Sequence, residues 1–176
     1  MSSPRHRIVR AEPKHFDAIR AVERAAEDAF PIAELPLALR GALLTSDEQL
    51  AGALRDDLLW CALDTDDRVL GFAIALWLGR DLHLDEIDVL PELQRRGIGR
   101  ALIGAVRAHA VAHGAERITL TTFRAPPWNQ PWYARLGFVA FEEPEIPAPL
   151  REIYEDEIAR GLARERRVAM ALDLRA

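Results

Sequence analysis

The pattern of hydrophobic and polar residues in the first third of the chain predicts one strand followed by two helices. Residues 6–12, HRIVRAE, alternate in a way that predicts a strand. A helix is predicted over residues 13–30 because hydrophobic residues recur there at helical spacing: Phe16, Ile19, Val22 and Ala26. A second helix is predicted over residues 46–57, where Ser46 is a suitable N-cap and Gln49 completes a capping-box pattern.

The middle of the chain predicts antiparallel strands. Two hydrophobic segments, residues 58–64 and 68–79, flank the polar turn sequence DTDD and predict a hairpin-like pair. Residues 81–89 predict a further strand, in which hydrophobic and polar positions alternate: Leu82, His83, Leu84 and Asp85. An antiparallel sheet therefore lies at the centre of the predicted fold.

The second half of the chain adds strands and helices in alternation. A long helix follows residue 97, and a strand, a short helix and two more strands are predicted at 117–123, within 127–137, at 138–143 and at 167–174. The order strand, helix, strand through Val89, Gly97 and Ile118 predicts one parallel pair of strands. We therefore predict an α/β (α+β) fold with a mixed, mostly antiparallel sheet. The acidic, proline-rich excursion at 144–164 precedes the last strand, and the sequence around it is compatible with one more helix.

Composition and charge narrow the classes of function. The 176 residues are 49% hydrophobic with a formal charge of −5, which predicts a single domain with a sizeable core. The 23 basic residues are interleaved with 28 acidic ones rather than gathered in a stripe, which argues against nucleic-acid binding. The start of the chain has no apolar signal core, and the longest apolar stretch, residues 69–79, is too short to span a bilayer, so we expect a cytoplasmic protein without a membrane partner. The single cysteine, Cys61, excludes an intramolecular disulfide and is expected to be a buried thiol.

A glycine-containing segment at residues 94–100 suggests an anion site. The leading N–H groups of a helix have no internal partner and carry partial positive charge, and the arginines there add more. The dinucleotide fingerprint fails because Leu102 stands where a third glycine is required, and no glycine-lysine-serine/threonine triplet of a nucleotide-triphosphate loop occurs. A short loop whose backbone amides bind a pyrophosphate is the interpretation that remains.

Two sequence blocks resemble the GCN5-related N-acetyltransferase (GNAT) superfamily. Gln94-Arg95-Arg96-Gly97-Ile98-Gly99 is similar to its acetyl-coenzyme A loop pattern, Gln/Arg-x-x-Gly-x-Gly/Ala. Some thirty residues later, Asn129 and Tyr133 precede Arg135 to Phe138, which resembles the family's second block. The resemblance implies one acyl-CoA N-acyltransferase domain over 1–176, with a splayed parallel strand pair and helices on both faces of the sheet. It implies acetyl-CoA as co-substrate, no metal, and contacts to the coenzyme from these positions: Val89, Leu90, Gln94, Arg95, Arg96, Gly97, Ile98, Gly99, Arg100, Ala101 and Asn129.

The resemblance also implies the catalytic groups. Tyr133 matches the family's general acid, which protonates the departing thiolate, and a backbone N–H near Val89 or Leu90 would polarise the thioester carbonyl. The family places its general base variably on the strand before the loop. We favour Glu86, which lies nearer the coenzyme edge of that strand, with His83 as the alternative because its ordinary pKa suits the role. Asn129 is expected to contact the coenzyme, as the resemblance implies, to cap the helix that carries Tyr133, or to do both.

The acceptor is a primary amine in this interpretation. Acidic patches, DTDD, EEPE and YEDE, favour a small cationic molecule over nucleic acid. The excursion at 144–164 would either cover the acceptor site or form a homodimer contact. The other class of function is a non-catalytic coenzyme A sensor, which would need neither Tyr133 nor an ionisable strand.

Overall fold

The computed structural model describes residues 6–42 and 44–175. The strands are β1 (Arg7–Arg10), β2 (Leu59–Leu63), β3 (Val69–Leu78), β4 (Asp81–Val89), β5 (Arg117–Phe123), β6 (Val139–Ala140) and β7 (Arg167–Asp173). The helices are α1 (Phe16–Asp28), α2 (Asp47–Arg55), α3 (Ile98–Ala112), α4 (Gln130–Arg135) and α5 (Ala148–Ala159). No helix in the described part of the chain is long and apolar enough to cross a membrane.

The strands form one seven-stranded sheet in the order β1-β2-β3-β4-β5-β7-β6. β1 with β2, β2 with β3, β5 with β7 and β6 with β7 are antiparallel pairs. β4 and β5 are parallel, with Leu82 opposite Ile118 and His83 opposite Thr119, because α3 makes the crossover between them. The predicted mixed, mostly antiparallel sheet with one parallel pair is confirmed.

Backbone contacts divide the chain into two compact units. The first unit is Met1–Leu76 with Leu84–His109, and the second unit is Trp77–His83 with Ala110–Ala176. The expectation of a single domain stays a prediction.

The first unit is built around a core between α1, α2 and the first strands. The buried residues of this core include Ile19, Leu50, Cys61, Phe72 and Leu90. Helix α2 starts as predicted, because the Ser46 hydroxyl accepts from the N–H of Gln49 at 3.2 Å and the Gln49 side chain accepts from the N–H of Ser46 at 2.9 Å. Burial raises the pKa of the Cys61 thiol to about 12, so this cysteine is the inert core thiol that the sequence suggested.

The second unit is organised by the pairing of β5 with β7, which extends over the full length of both strands. Helix α5, formed by the excursion, packs Leu150 and Tyr154 against Ala169 of β7. An ion pair ties the same elements together, because Arg167 donates to Glu157 at 2.7 Å while Thr121 donates to the other oxygen of Glu157 at 2.6 Å. The excursion therefore has a packing role on β7.

Strand β6 is shorter than the sequence predicted. Residues 138–143 form a strand only at Val139–Ala140, opposite Ala171 and Met170 of β7. β6 is an edge strand with Val139 71% exposed, and a 3-10 turn at Glu143–Glu145 with Pro144 inside it ends the extended segment.

Candidate active site

The loop between β4 and α3 takes a conformation suited to holding an anion. After a 3-10 turn at Pro91–Leu93, Arg95 has φ +60° and Gly97 has φ +87°. Backbone N–H groups next to left-handed residues converge into a concave nest. Helix α3 follows at Ile98, which is buried at 1% exposure, and the Ala101 N–H donates to the Gly97 carbonyl at 3.0 Å. The N-terminal amides of a fifteen-residue helix therefore lie beside this nest.

Positive charge surrounds the same loop without local compensation. Arg95 and Arg100 are exposed and Arg96 is half-buried. Among the residues that the structure describes, none forms an ion pair with these three arginines. A Cβ added at Gly97 would meet no atom within 4 Å, so open space lies beside the loop backbone. The geometry and the charge are those expected of an anion site, and the pyrophosphate loop stays a prediction.

The end of β4 corrects one expectation about the thioester carbonyl. The Leu90 N–H donates to the Leu70 carbonyl at 3.0 Å and is therefore not available to a ligand, because its donor is used within the sheet. Val89 is the other candidate from the sequence. The backbones of β3 and β4 approach closely here, since a Cβ at Gly71 would lie 2.7 Å from the Asp88 carbonyl oxygen.

Carboxylates of β4 and α1 in the first unit have raised pKa values, and their negative charges contribute to the shifts. Burial raises the pKa of Glu86 well above its ordinary value, and the nearby charges of Asp88, Glu23 and Asp85 raise it further. Burial and the charges of Glu23 and Glu27 raise the pKa of Asp88 in the same way. Burial also raises the pKa of Glu23, against two hydrogen bonds from Thr45 that favour its charged form.

His83 has a different environment in the second unit. It is 1% exposed, and its Nδ1 lies 3.0 Å from the Thr119 hydroxyl on the paired strand. Burial lowers the pKa of His83 to about 4. At neutral pH the ring is uncharged, weakly basic and enclosed.

Helix α4 carries the second block. Tyr133 is 6% exposed and packs its ring against Trp132 at 4.9 Å and Phe138 at 5.6 Å between centroids. Asn129 occupies the N-cap position of α4, but its side chain makes no capping hydrogen bond. Its Nδ2 instead donates to the Thr122 hydroxyl of β5 at 2.8 Å. The buried Oδ1 has no hydrogen-bond partner among the described residues. The capping role proposed for the Asn129 side chain is therefore wrong, and an acceptor oxygen is left open.

Sequence reasoning missed Glu23 and gave weight to the acidic patch DTDD, which is hydrogen-bonded locally. In DTDD, Asp64 accepts from the Asp66 and Arg68 N–H groups at 2.9 Å, which closes the turn. Glu23 was detectable in principle, because it falls on the buried stripe of α1 with Ile19, Val22 and Ala26. Burying a carboxylate at such a position is costly, so a specific interaction is needed to compensate for it.

The fold and the loop define an α/β protein with a strand-to-helix turn suited to a phosphorylated ligand. A model of the "Acetyltransferase (GNAT) family" matches residues 19–138, more than half of the chain. The chain therefore belongs to the GNAT acetyltransferase family, as the two sequence blocks indicated.

Solved structures show the same fold at low sequence identity. N-acetylglutamate synthase from Neisseria gonorrhoeae, complexed with coenzyme A and N-acetyl-glutamate, aligns with a TM-score of 0.74 and 20% identity over 98% of this chain. This chain spans only 36% of the synthase chain. The ribosomal-protein-S18-alanine N-acetyltransferase from Escherichia coli aligns with a TM-score of 0.66 and 20% identity, covering 97% of this chain and 94% of that one. Rv2747 from Mycobacterium tuberculosis, in complex with CoA and NLQ, aligns with a TM-score of 0.67 and 20% identity, covering 96% and 99%.

Proposed function

We propose that this protein transfers an acetyl group from acetyl-CoA to a primary amine, with a small cationic molecule as acceptor. The observation that carries the proposal is the β4–α3 loop, where two left-handed residues, a helix N-terminus and three arginines without ion pairs adjoin open space. Such a loop suits the diphosphate of a coenzyme. The structures of N-acetylglutamate synthase and Rv2747 with coenzyme A support this choice of ligand.

The residues present fit coenzyme A at two separate features. In the loop, the amides beside Gly97 and Gly99 would bind phosphate oxygens, and Arg95, Arg96 and Arg100 would balance their charge. On α4, the buried Asn129 Oδ1 lacks a donor among the described residues. An amide N–H of the coenzyme would satisfy it, because a buried acceptor without a partner costs about 1–3 kcal/mol. Acetyl-CoA would supply the thioester whose carbonyl carbon the amine attacks.

Glu86 is the general base in this proposal. An amine attacks only as the neutral species, and an aliphatic ammonium with a pKa near 10.4 is almost fully protonated at neutral pH. A carboxylate with a raised pKa is a stronger base than an ordinary glutamate, so Glu86 suits removal of that proton. His83 is the weaker alternative, because it is 1% exposed, is hydrogen-bonded to Thr119 and has its pKa lowered to about 4.

Tyr133 is the general acid in this proposal. Its phenol O–H would donate a proton to the thiolate as the carbon–sulfur bond breaks. The contacts of its ring with Trp132 and Phe138 hold the side chain in place on α4. A short helix that fixes an aromatic acid in this way limits its rotation and so favours one orientation of the hydroxyl.

The test is thiol release from acetyl-CoA across a panel of primary amines, with coenzyme binding measured in parallel by calorimetry. We expect saturable coenzyme binding and amine-dependent thiol release. Binding without release for any amine would indicate the sensor alternative, and absence of binding would refute the assignment of the loop. The cytoplasmic location and a homodimer stay predictions.

A further inference from the structure

Glu23 of α1 is a buried carboxylate that the fold leaves half satisfied. It is 4% exposed, and its Oε1 accepts from the Thr45 N–H and the Thr45 hydroxyl, both at 2.8 Å. Its Oε2 is buried and has no hydrogen-bond partner among the described residues. A buried carboxylate oxygen without a hydrogen bond lowers the stability of the fold unless a ligand donates a hydrogen bond to it.

Two more carboxylates adjoin Glu23, and we call the three residues Glu23, Glu86 and Asp88 the carboxylate cluster. Glu86 and Asp88 are two residues apart on β4 and therefore share one face of the strand. The charge of Glu23 raises the pKa of both, so the Glu23 carboxylate of α1 lies within electrostatic range of Glu86 and Asp88. Asp85 and Glu27 add further negative charge at the edge of the cluster.

Little positive charge balances this cluster. The described residues place one cation, Arg20, within electrostatic reach of Glu23, and Arg20 pairs with Asp17 and Asp47 instead. In the described chain, no group of three or more His, Cys, Asp or Glu side chains is placed to hold a metal ion. An organic cation is the other kind of ligand that could balance the negative charge.

A reacting amine alone cannot supply the missing charge. It must lose a proton before its nitrogen forms the new N–C bond, and the amide that results is neutral. A second, non-reacting ammonium keeps its charge throughout the reaction. Residues two apart on a strand are separated by roughly 6.6 Å, and a chain of about four or five carbon atoms spans such a distance with bonds of about 1.5 Å.

We propose that the carboxylate cluster selects an aliphatic diamine as acceptor, with Glu23 and Asp88 binding the non-reacting ammonium and Glu86 serving the reacting one. This inference rests on the proposed function for the reacting amine. In the reaction, one ammonium group loses a proton to Glu86, and its neutral nitrogen forms the N–C bond with the thioester carbon. The C–S bond breaks, the sulfur takes the phenol proton of Tyr133 and leaves as a thiol, and the second proton of the nitrogen restores the Tyr133 phenol. The second ammonium is unchanged and stays paired.

The kinetic experiment compares acceptors that differ only in their second group. Thiol release is measured with 1,5-diaminopentane, n-pentylamine and 6-aminohexanoate as acceptors. We expect the diamine to have the highest kcat/KM, exceeding that of n-pentylamine by about ten-fold to a hundred-fold, as for a charged hydrogen bond. In Glu23→Gln the ratio of these two values should fall towards one, whereas Glu48→Gln, which removes an exposed carboxylate from α2, should keep it.

A binding experiment without catalysis separates this inference from the proposed function. In thermal unfolding, 1,5-diaminopentane should raise the Tm of the wild type and of Glu48→Gln, but not of Glu23→Gln. Stabilisation by the diamine without thiol release would support the cluster and refute the transfer reaction. Thiol release with equal kcat/KM for diamine and n-pentylamine, or an unchanged ratio in Glu23→Gln, would overturn the cluster and leave the transfer reaction standing. The glutamine keeps the acceptor oxygen for Thr45, so folding of the variant is expected, and its circular dichroism checks this.

Discussion

The β4–α3 loop gives the most direct test of coenzyme binding, through Gly97→Ala. Gly97 has φ +87°, a conformation that alanine adopts only at a cost of about 1–2 kcal/mol. The added methyl group meets no atom within 4 Å, so no steric clash adds to this cost. For a chain of this size, 1 kcal/mol lowers Tm by about 2–4 °C, so we expect a decrease of roughly 2–8 °C and a folded protein.

The effect of Gly97→Ala on coenzyme affinity should be larger than its effect on stability suggests. A methyl group in the open space beside the nest would hold a phosphate away from one backbone N–H. A hydrogen bond to a charged group contributes about 1.5–3 kcal/mol, and each 1.4 kcal/mol is tenfold in Kd. We therefore expect the Kd for coenzyme A to rise about ten-fold to a hundred-fold.

The assay is calorimetric titration with coenzyme A beside thermal unfolding, and the structure offers a matched control. Gly114 follows α3 with φ +72°, and a Cβ there also meets nothing within 4 Å. Gly114→Ala should lose similar stability and keep its coenzyme affinity. An unchanged Kd in folded Gly97→Ala, or equal losses of affinity in both variants, would show that the loop does not hold the diphosphate.

Three other predictions concern the ionisable groups. Tyr133→Phe should lower kcat by about 100-fold, the lower end for general acid catalysis, while the unfolding free energy changes by about 1 kcal/mol or less; full activity across the pH range would leave Tyr133 only its packing role. Glu86→Gln should lower turnover most at low pH, and the deficit should shrink as pH rises, because free amine increases tenfold per pH unit; a deficit independent of pH would contradict the base. Asp88 has a raised pKa in the folded state, so it binds its proton more tightly there, and wild-type stability should fall as pH rises from about 3.8 through that pKa. Asp88→Asn stays neutral, so denaturant unfolding should find it increasingly more stable than the wild type over this window, and a constant difference would contradict the raised pKa.

Local sequence rules predicted most of the elements, because the residues that decide them are neighbours in the chain. β4 and β5 have the predicted bounds, Asp81–Val89 and Arg117–Phe123, and alternating or continuous hydrophobic positions decide such strands. Ser46 and Gln49 form the predicted capping box, which involves only backbone and side chains within one turn. The strand predicted at 138–143 was too long, because its length depends on pairing with a distant strand, β7.

The same distinction between neighbouring residues and distant partners applies to the candidate site. The loop from Gln94 to Arg100 could be proposed as an anion site from the sequence, because its glycines, arginines and helix start are contiguous and act through local backbone geometry. The use of the Leu90 N–H by Leu70, and of the Asn129 amide by Thr122, could not be read from the sequence. Each depends on a partner from another strand, and a donor that finds such a partner is no longer available to a ligand.

The sequence by itself determined the element order and the family, since these depend on residue types at short and regular spacing, and it was enough to propose the β4–α3 loop as a coenzyme site. Only the tertiary structure decided which ionisable groups act on one another. It buried His83 beside Thr119 and brought Glu23, more than sixty positions earlier in the chain, to the carboxylates of β4. The pKa of a carboxylate depends on its burial and on charges a few ångströms away in space, and the packing of α1 on the sheet determines both.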